Sequence, residues 1–492
     1  MDGSDRPMAA GGVNRENGVF VDNAWQPASS GRTLDLIEPA TGRRFAAIAA
    51  GDSRDVDRAV TAARGAIDGP WGRLDAADRG RLLSRLAGLI ADHAEDLAAL
   101  EARDTGKPLG QARADIDTAA RYFEFYGGAA DKVHGQTIPY RSGWLALTER
   151  MAHGVTGHII PWNYPAQMVG RTLAPALAMG NATVLKPAED ACLTALRLAE
   201  LAREAGFPAG AINVVPGRGE VAGAALSRHP GVDFLSFTGS PEVGTQVQVA
   251  AARRHAGCVL ELGGKSPQIV FSDADLDLAV PAIVAAIVQN AGQTCSAGSR
   301  VLVDRHVEAE LSERLAQAFR TLVSGPPEAD CDLGPLINLT QKRRVTRFCD
   351  LAEMAGVPLI AEGALDARAK PDGFYVTPRL YGPVPRDHPM AREEIFGPIL
   401  SLMPFSDEDD AVALANGTDY GLVAGIWSRD GTRALGVARR IAAGQVFVNG
   451  YGAGSGVELP FGGVGKSGHG REKGLDALFE FSASRTLVIA HG

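Results

Sequence analysis

The sequence predicts an α/β protein built on parallel sheets, from three observations. Apolar, β-rich runs alternate with helical stretches from about residue 155 onward, most of these runs end in Gly, Pro or polar residues, and a second series of the same kind begins after "LELGGKSP". With 492 residues, the chain has room for two or three domains of about 150 residues each.

In chain order, "MDGSDRPMAAGGVNRENG" (1–18) has no apolar signal core and is expected to be a disordered lead. The spacing of Val56, Val60, Ala63 and Ile67 predicts a helix over 53–67, and Leu82, Leu83, Leu86, Leu89, Ile90, Leu97 and Leu100 predict one longer helix before Gly106. The chain is therefore expected to open with packed helices. Residues 134–154 instead predict two extended segments around a Ser-Gly turn, a protruding hairpin.

Four apolar runs follow: "GHIIPWN", "ATVLKPAE", "INVVPGRG" and "FLSFTGS", with a helix carrying Leu193, Leu196, Leu198 and Leu201 between the second and third. Right-handed crossovers place the carboxyl ends of such strands along one edge, where open α/β sheets bind ligands. Asn163, Lys186, Glu189, Gly219, Gly239 and Ser240 should gather there. The second series comprises "SRVLVD", a helix over 307–323, "GFYVTPRLY", "FGPILSLMPF", "GLVAGIWS" and "GQVFVNG", with helices near 407–416 and 431–443. The final "SASRTLVIA" is a β-rich tail suited to pairing with another element or subunit.

Composition narrows the function classes. A net charge of −9 leaves no basic footprint for nucleic acid or anionic lipid, and no apolar run is suited to crossing a bilayer, so a small molecule is the expected partner. Five cysteines without a CxxC pair fit a reducing compartment, and a cytoplasmic location is expected. Ten scattered histidines without an HExxH pair predict no metal site. "PFGGVGKSGHG" (460–470) ends its Gly-Lys-Ser like a phosphate loop, but Pro460 stands where the first glycine is required. Gly468, Gly470 and Gly474 each cost a following helix about 1 kcal/mol, so ATP binding is not expected there.

Individual stretches carry weak chemical signals. Cys295 lies among small and polar residues in "QNAGQTCSAGSR", a setting open to a nucleophile as well as to a packed thiol. Glu261 ends an apolar strand, where burial raises a carboxyl toward the range of a general base; a strand-end ion pair is the alternative. Asn163 is held by two nearby prolines in "PWNYP" and can present an amide donor. In "LKPAE", Lys186 and Glu189 can bind ribose hydroxyls or simply each other. "FTGSPEVG" opens a helix at Gly239, Ser240 and Gly244, which suits a phosphate.

Taken together, "PWNYP", "LKPAE", "FTGSPEVG", "LELGGKSP", "GQTCSAGSR", "EEIFGP" and "PFGG" resemble the aldehyde dehydrogenase superfamily in order and spacing, over nearly the whole chain. The resemblance implies a Rossmann-type NAD-binding domain (19–133 and 155–262), an α/β catalytic domain (263–474) and a β oligomerisation element (134–154 and 475–492) in a homodimer or homotetramer. It implies Cys295 as nucleophile, Glu261 as general base, and Asn163 with the Cys295 N–H as oxyanion hole. Lys186 and Glu189 match the contacts to the adenosine ribose, and Gly219, Gly223, Gly239, Ser240 and Gly244 match positions around adenosine and pyrophosphate. Glu394 and Phe396 match the nicotinamide-ribose and ring positions, while Ile160, Pro161, Trp162 and Leu262 match further cofactor-lining positions.

Glu189 favours NAD over NADP, since a 2′-phosphate would face its carboxylate. By the same resemblance Tyr164, Met168 and Arg171 face the substrate channel, as does the glycine-rich "YGAGSGVE". Arg171 could grip a substrate carboxylate, although relatives handling uncharged aldehydes also carry arginine there and Gln289 replaces the second arginine of the succinate-semialdehyde pattern. A non-enzymatic relative and a relative that passes the thioester to coenzyme A are the competing readings.

Overall fold

The computed structural model describes residues 17–452 and 456–492. All but the last two residues of the expected lead, and Ala453 to Ser455 of "YGAGSGVE", lie outside the described residues.

Two doubly wound sheets organise the chain. The first has eight strands, and its five parallel members stand in the order Ile212–Val214, Ala182–Lys186, Val155–Ile159, Phe234–Thr238, Gly257–Glu261. The chain leaves Val155–Ile159 in one direction, crosses twice, then returns to its other side, creating a switch point between Ile159 and Thr238. Every residue of Val155–Ile159, Ala182–Lys186, Ile212–Val214 and Phe234–Thr238 is buried, as expected for parallel strands covered on both faces. The seven-stranded second sheet is parallel except for its edge strand Leu359–Glu362, with Pro267–Val270 and Arg300–Asp304 at its centre.

Two expectations about the first hundred residues are corrected. The chain opens with strands, not helices: Gly18–Val21 pairs with Ala24–Pro27 and joins the first sheet beside Ile212–Val214, and Thr33–Glu38 pairs with Arg43–Ala49. The long leucine-bearing helix is two helices, Ala76–Asp92 and Ala94–Thr105, because His93 leaves helical geometry (φ −108, ψ 19) and its ring bonds the Leu89 carbonyl at 3.0 Å. Further helices are close to expectation, among them Ser53–Asp68, Glu308–Thr321, Glu408–Ala415 and Gly431–Ala438.

The hairpin and tail form a separate three-stranded sheet, in which Ser482–Ala490 pairs antiparallel with Trp144–Ala152 along all nine residues. Residues 464–469 cross between the large units. Gly468–His469 adds an edge strand beside Gly257–Glu261, and the Gly-Lys-Ser residues are structural there. Lys466 forms an exposed ion pair with Asp419 at 2.7 Å, while buried Ser467 Oγ donates to the Gly263 carbonyl at 2.7 Å. Among the described residues no helix is long and apolar enough to cross a membrane.

Candidate active site

The carboxyl edge of the first sheet faces the segment that enters the second sheet, and a cleft of about 320 Å³ lies between them. Pro161, Trp162, Asn163, Met168, Gly239, Ser240, Glu261, Leu262, Cys295, Glu394 and Phe396 all line it, bringing together eleven residues scattered over more than two hundred positions. On the other side of Cys295 is a second, smaller cavity, lined by Tyr164, Met168 and Arg171 together with Tyr122, Phe461 and Lys473. Cys295 and Met168 border both.

Local geometry explains why Cys295 stands there. Asn290, Ala291 and Gly292 take consecutive left-handed conformations (φ 50, 53 and 71) just after the helix Leu276–Val288. A Cβ on Gly292 would sit 2.2 Å from the Gly397 carbonyl oxygen, so only glycine fits where this turn meets the Phe396 segment. Burial pushes the Cys295 thiol up to about 12, opposed by the Arg171 guanidinium and assisted by Glu261 and Glu394.

Asn163 is locked from several sides. Its Nδ2 donates to the Gln293 carbonyl at 2.9 Å, and its own carbonyl accepts from Lys107 Nζ at 3.0 Å and Asn290 Nδ2 at 2.8 Å. Lys107 is fully buried between Glu101 (3.1 Å) and Asp115 (2.5 Å) and lies 4.6 Å above the Tyr164 ring. Sequence reasoning missed this cluster, as it missed Gln341 and Arg344, which bind the carbonyls of residues 394–396.

Glu261 is buried, and burial holds its carboxyl well above the usual range against the pull of Arg171. Arg171 Nη2 lies 3.1 Å from Glu261 Oε2, and Arg171 Nε lies 2.6 Å from Glu472 Oε2. A Cβ on Gly462 would sit 2.5 Å from the Gly470 carbonyl oxygen and 2.9 Å from Glu261 Oε1, so only glycine fits where the Pro-Phe-Gly-Gly turn passes this carboxylate. Phe461 from the same turn presents its ring 4.4 Å from the Arg171 guanidinium. Arg171 thus lines the smaller cavity with its guanidinium facing two carboxylates.

Ile160, Lys186, Glu189, Gly219, Gly223 and Gly244 do not line the larger cleft, although each lies at or after a strand of the first sheet. Glu189 accepts from Lys186 Nζ at 2.7 Å and from the Gly219 N–H at 3.1 Å; burial opposes its charge, yet these partners hold the carboxyl below its usual value. Gly223 lies against Lys186, and Ile160 donates its N–H to the Lys186 carbonyl at 3.2 Å. Ser240 caps the helix Pro241–Ala252, on which buried Gly244 packs under Leu262. Glu394 accepts from the Gly264 N–H at 2.9 Å, and burial raises its carboxyl to about 7. Phe396, itself left-handed at φ 60, meets Trp162 edge to face at 5.5 Å.

A parallel sheet with a cleft at its switch point, bordered by a cysteine and a buried glutamate, defines a doubly wound α/β protein with a candidate catalytic site. The aldehyde dehydrogenase family model matches residues 25–487, and the chain belongs to that family. It is 43% identical over 478 residues to the horse (Equus caballus) mitochondrial aldehyde dehydrogenase, covering 96% of this chain and 95% of that one. A crystal structure from Burkholderia cenocepacia, provisionally described as an aldehyde dehydrogenase, is 60% identical with TM-score 0.96, covering 96% of this chain and 100% of that one. PnpE, known from Pseudomonas sp. WBC-3, was solved in complex with nicotinamide adenine dinucleotide; that structure is 39% identical with TM-score 0.94 and covers 97% and 98% of the two chains.

Proposed function

We propose that this protein oxidises an aldehyde to its carboxylic acid with NAD, using Cys295 as nucleophile, Glu261 as general base, and Asn163 with the Cys295 N–H as oxyanion donors. The observation that carries this reading is the position of Cys295 at the junction of two cavities, with Glu261 lining one of them. Membership of the aldehyde dehydrogenase family and the NAD complex of PnpE support it.

The cleft suits the dinucleotide. Ser240 opens the twelve-residue helix Pro241–Ala252 at the cleft wall, where backbone N–H groups favour a phosphate. Glu189 lines a separate cavity with Asp190 and Arg218, and its carboxylate, fixed by Lys186, would accept from ribose hydroxyls there. That charge disfavours a 2′-phosphate and supports NAD over NADP. Glu394 and Phe396 would hold the nicotinamide end, with Pro161, Trp162 and Leu262 along the wall.

Cys295 gives its thiol proton to water in the cleft, and its Sγ bonds to the carbonyl carbon as the C=O π pair moves to oxygen, giving a thiohemiacetal whose oxygen carries the negative charge. Asn163 and the Cys295 N–H stabilise that oxygen, an arrangement typically worth about 3 kcal/mol per donor. NAD, held by Glu394, Phe396 and the cleft wall, would supply the two-electron acceptor for the hydride on the thiohemiacetal carbon, and Cys295 Sγ would then carry the acyl group as a thioester. Glu261 then takes a proton from water as the water oxygen bonds to the acyl carbon, the C–S bond breaks, and the acid departs with Cys295 restored.

The three-stranded sheet exposes Trp144, Leu145, Val488 and Ile489, which supports its use as an oligomerisation element. Five free cysteines fit a reducing, cytoplasmic setting. The test is NADH formation with a panel of aliphatic, aromatic, amino- and carboxy-aldehydes, with and without coenzyme A. Activity without coenzyme A is expected; a strict requirement for it would replace hydrolysis by acyl transfer, and silence across the panel would refute the reading.

A further inference from the structure

We propose that Arg171 and Glu472 are positioning residues for deacylation: Glu472 shares the Arg171 charge, and that charge beside Glu261 sets how readily its carboxylate accepts the proton of water. The inference rests on the assignment of Glu261 as general base.

Three ionisable side chains, Glu261, Arg171 and Glu472, each no more than 5% exposed, form one line. Arg171 Nη2 is 3.1 Å from Glu261 and Arg171 Nε is 2.6 Å from Glu472, both as ion-pair contacts without hydrogen-bond geometry. The far end of the line is fixed by neutral donors. Ser236 Oγ donates to Glu472 Oε1 at 3.0 Å, Thr172 and Ser236 hydroxyls bond at 2.7 Å, and Thr172 Oγ1 meets His158 Nδ1 at 2.6 Å. His158 Nε2 reaches Thr156 Oγ1 at 2.8 Å, and burial lowers this histidine to about 3, so the anchor adds no charge.

Two buried carboxyl groups share one guanidinium, so Arg171 does not serve Glu261 alone. Other groups facing Glu261 are Arg471, which bonds the Gly463 and Gly470 carbonyls, together with Cys295 and Lys473 at the smaller cavity. The backbone reinforces the anchor, since Glu472 and Phe461 exchange N–H···O bonds of 2.8 and 2.6 Å while the Phe461 ring lies against Arg171. Glu472 therefore keeps Arg171 from collapsing wholly onto Glu261 and preserves a carboxylate basic enough to activate water.

The test follows decay of the acyl-enzyme on Cys295, by intact-protein mass spectrometry, as a function of pH. Removing the competing carboxylate with Glu472→Gln leaves Arg171 and Glu261 as a one-to-one pair, so the acid limb of the decay rate should move down by about one pH unit. Arg171→Met removes the cation and should move the limb up by about as much, with Arg171→Lys restoring most of the shift. A purely structural role for the pair would lower rates without moving the limb in opposite directions. An unmoved limb in Glu472→Gln, which keeps shape and needs no refolding of the site, overturns the proposal by itself, as does a shift of both variants in the same direction. Absence of any acyl group on Cys295 in the parent enzyme would overturn the general-base assignment and this inference with it.

Discussion

Asn163 Nδ2 donates to the Gln293 carbonyl at 2.9 Å, tying the loop after the first parallel strand to the turn that delivers Cys295. The amide uses one of its two hydrogens in this bond and keeps the other for an oxyanion. Asn163→Ala should therefore lower kcat by about 10²- to 10³-fold with a much smaller change in KM. Steady-state kinetics with a saturating simple aldehyde check this; a change confined to KM would deny Asn163 an oxyanion role.

Lys107 is the support beneath that amide. Its ammonium is buried against Glu101 and Asp115 and donates to the Asn163 carbonyl. Lys107→Met leaves two buried carboxyls without their cation and should cost about 3 to 5 kcal/mol of stability. Urea unfolding monitored by tryptophan fluorescence measures the loss, and a midpoint unchanged from the parent would contradict the role given to this cluster.

Cofactor choice turns on Glu189, whose carboxylate is fixed by Lys186 and the Gly219 N–H. Glu189→Gln removes the charge that repels a 2′-phosphate, so the ratio of kcat/KM for NADP to that for NAD should rise by about tenfold or more. Equal or better use of NADP by the parent enzyme would remove the basis of this assignment.

The cofactor-free protein should present Cys295 as a thiol. Burial pushes it up to about 12, so the thiolate fraction increases about tenfold per pH unit between pH 7 and 10. Iodoacetamide labelling of Cys295, quantified by peptide mass spectrometry, should follow that slope. A rate already level below pH 9 would show a thiol far more acidic than its surroundings dictate.

Much of the site was legible because strand ends announce themselves. Glu261, Lys186 and Gly239 each close or follow an apolar run, and the parallel topology brings those ends to one edge whatever their separation in sequence. Arg171 could be placed near Met168 and Tyr164, but not its ion pairs, because Glu261 and Glu472 lie about 90 and 300 positions away and only folding brings them together. The Lys107 cluster was hidden for the same reason, since a charged residue in a helical region reads as solvated until its buried partners are known. The opening hairpins were missed because Ala24–Pro27 and Thr33–Glu38 are half-exposed, with a weak apolar pattern, and the helix Leu109–Ala129 because its buried face is largely alanine, tyrosine and aspartate.

The most direct measurement is NADH formation from an aldehyde and NAD by the parent enzyme and by Cys295→Ala, at matched concentrations of folded protein. The expected result is turnover by the parent and none above the uncatalysed rate in the variant, with the acyl group absent from position 295. Oxidation retained by Cys295→Ala at a rate near that of the parent would contradict the thioester route.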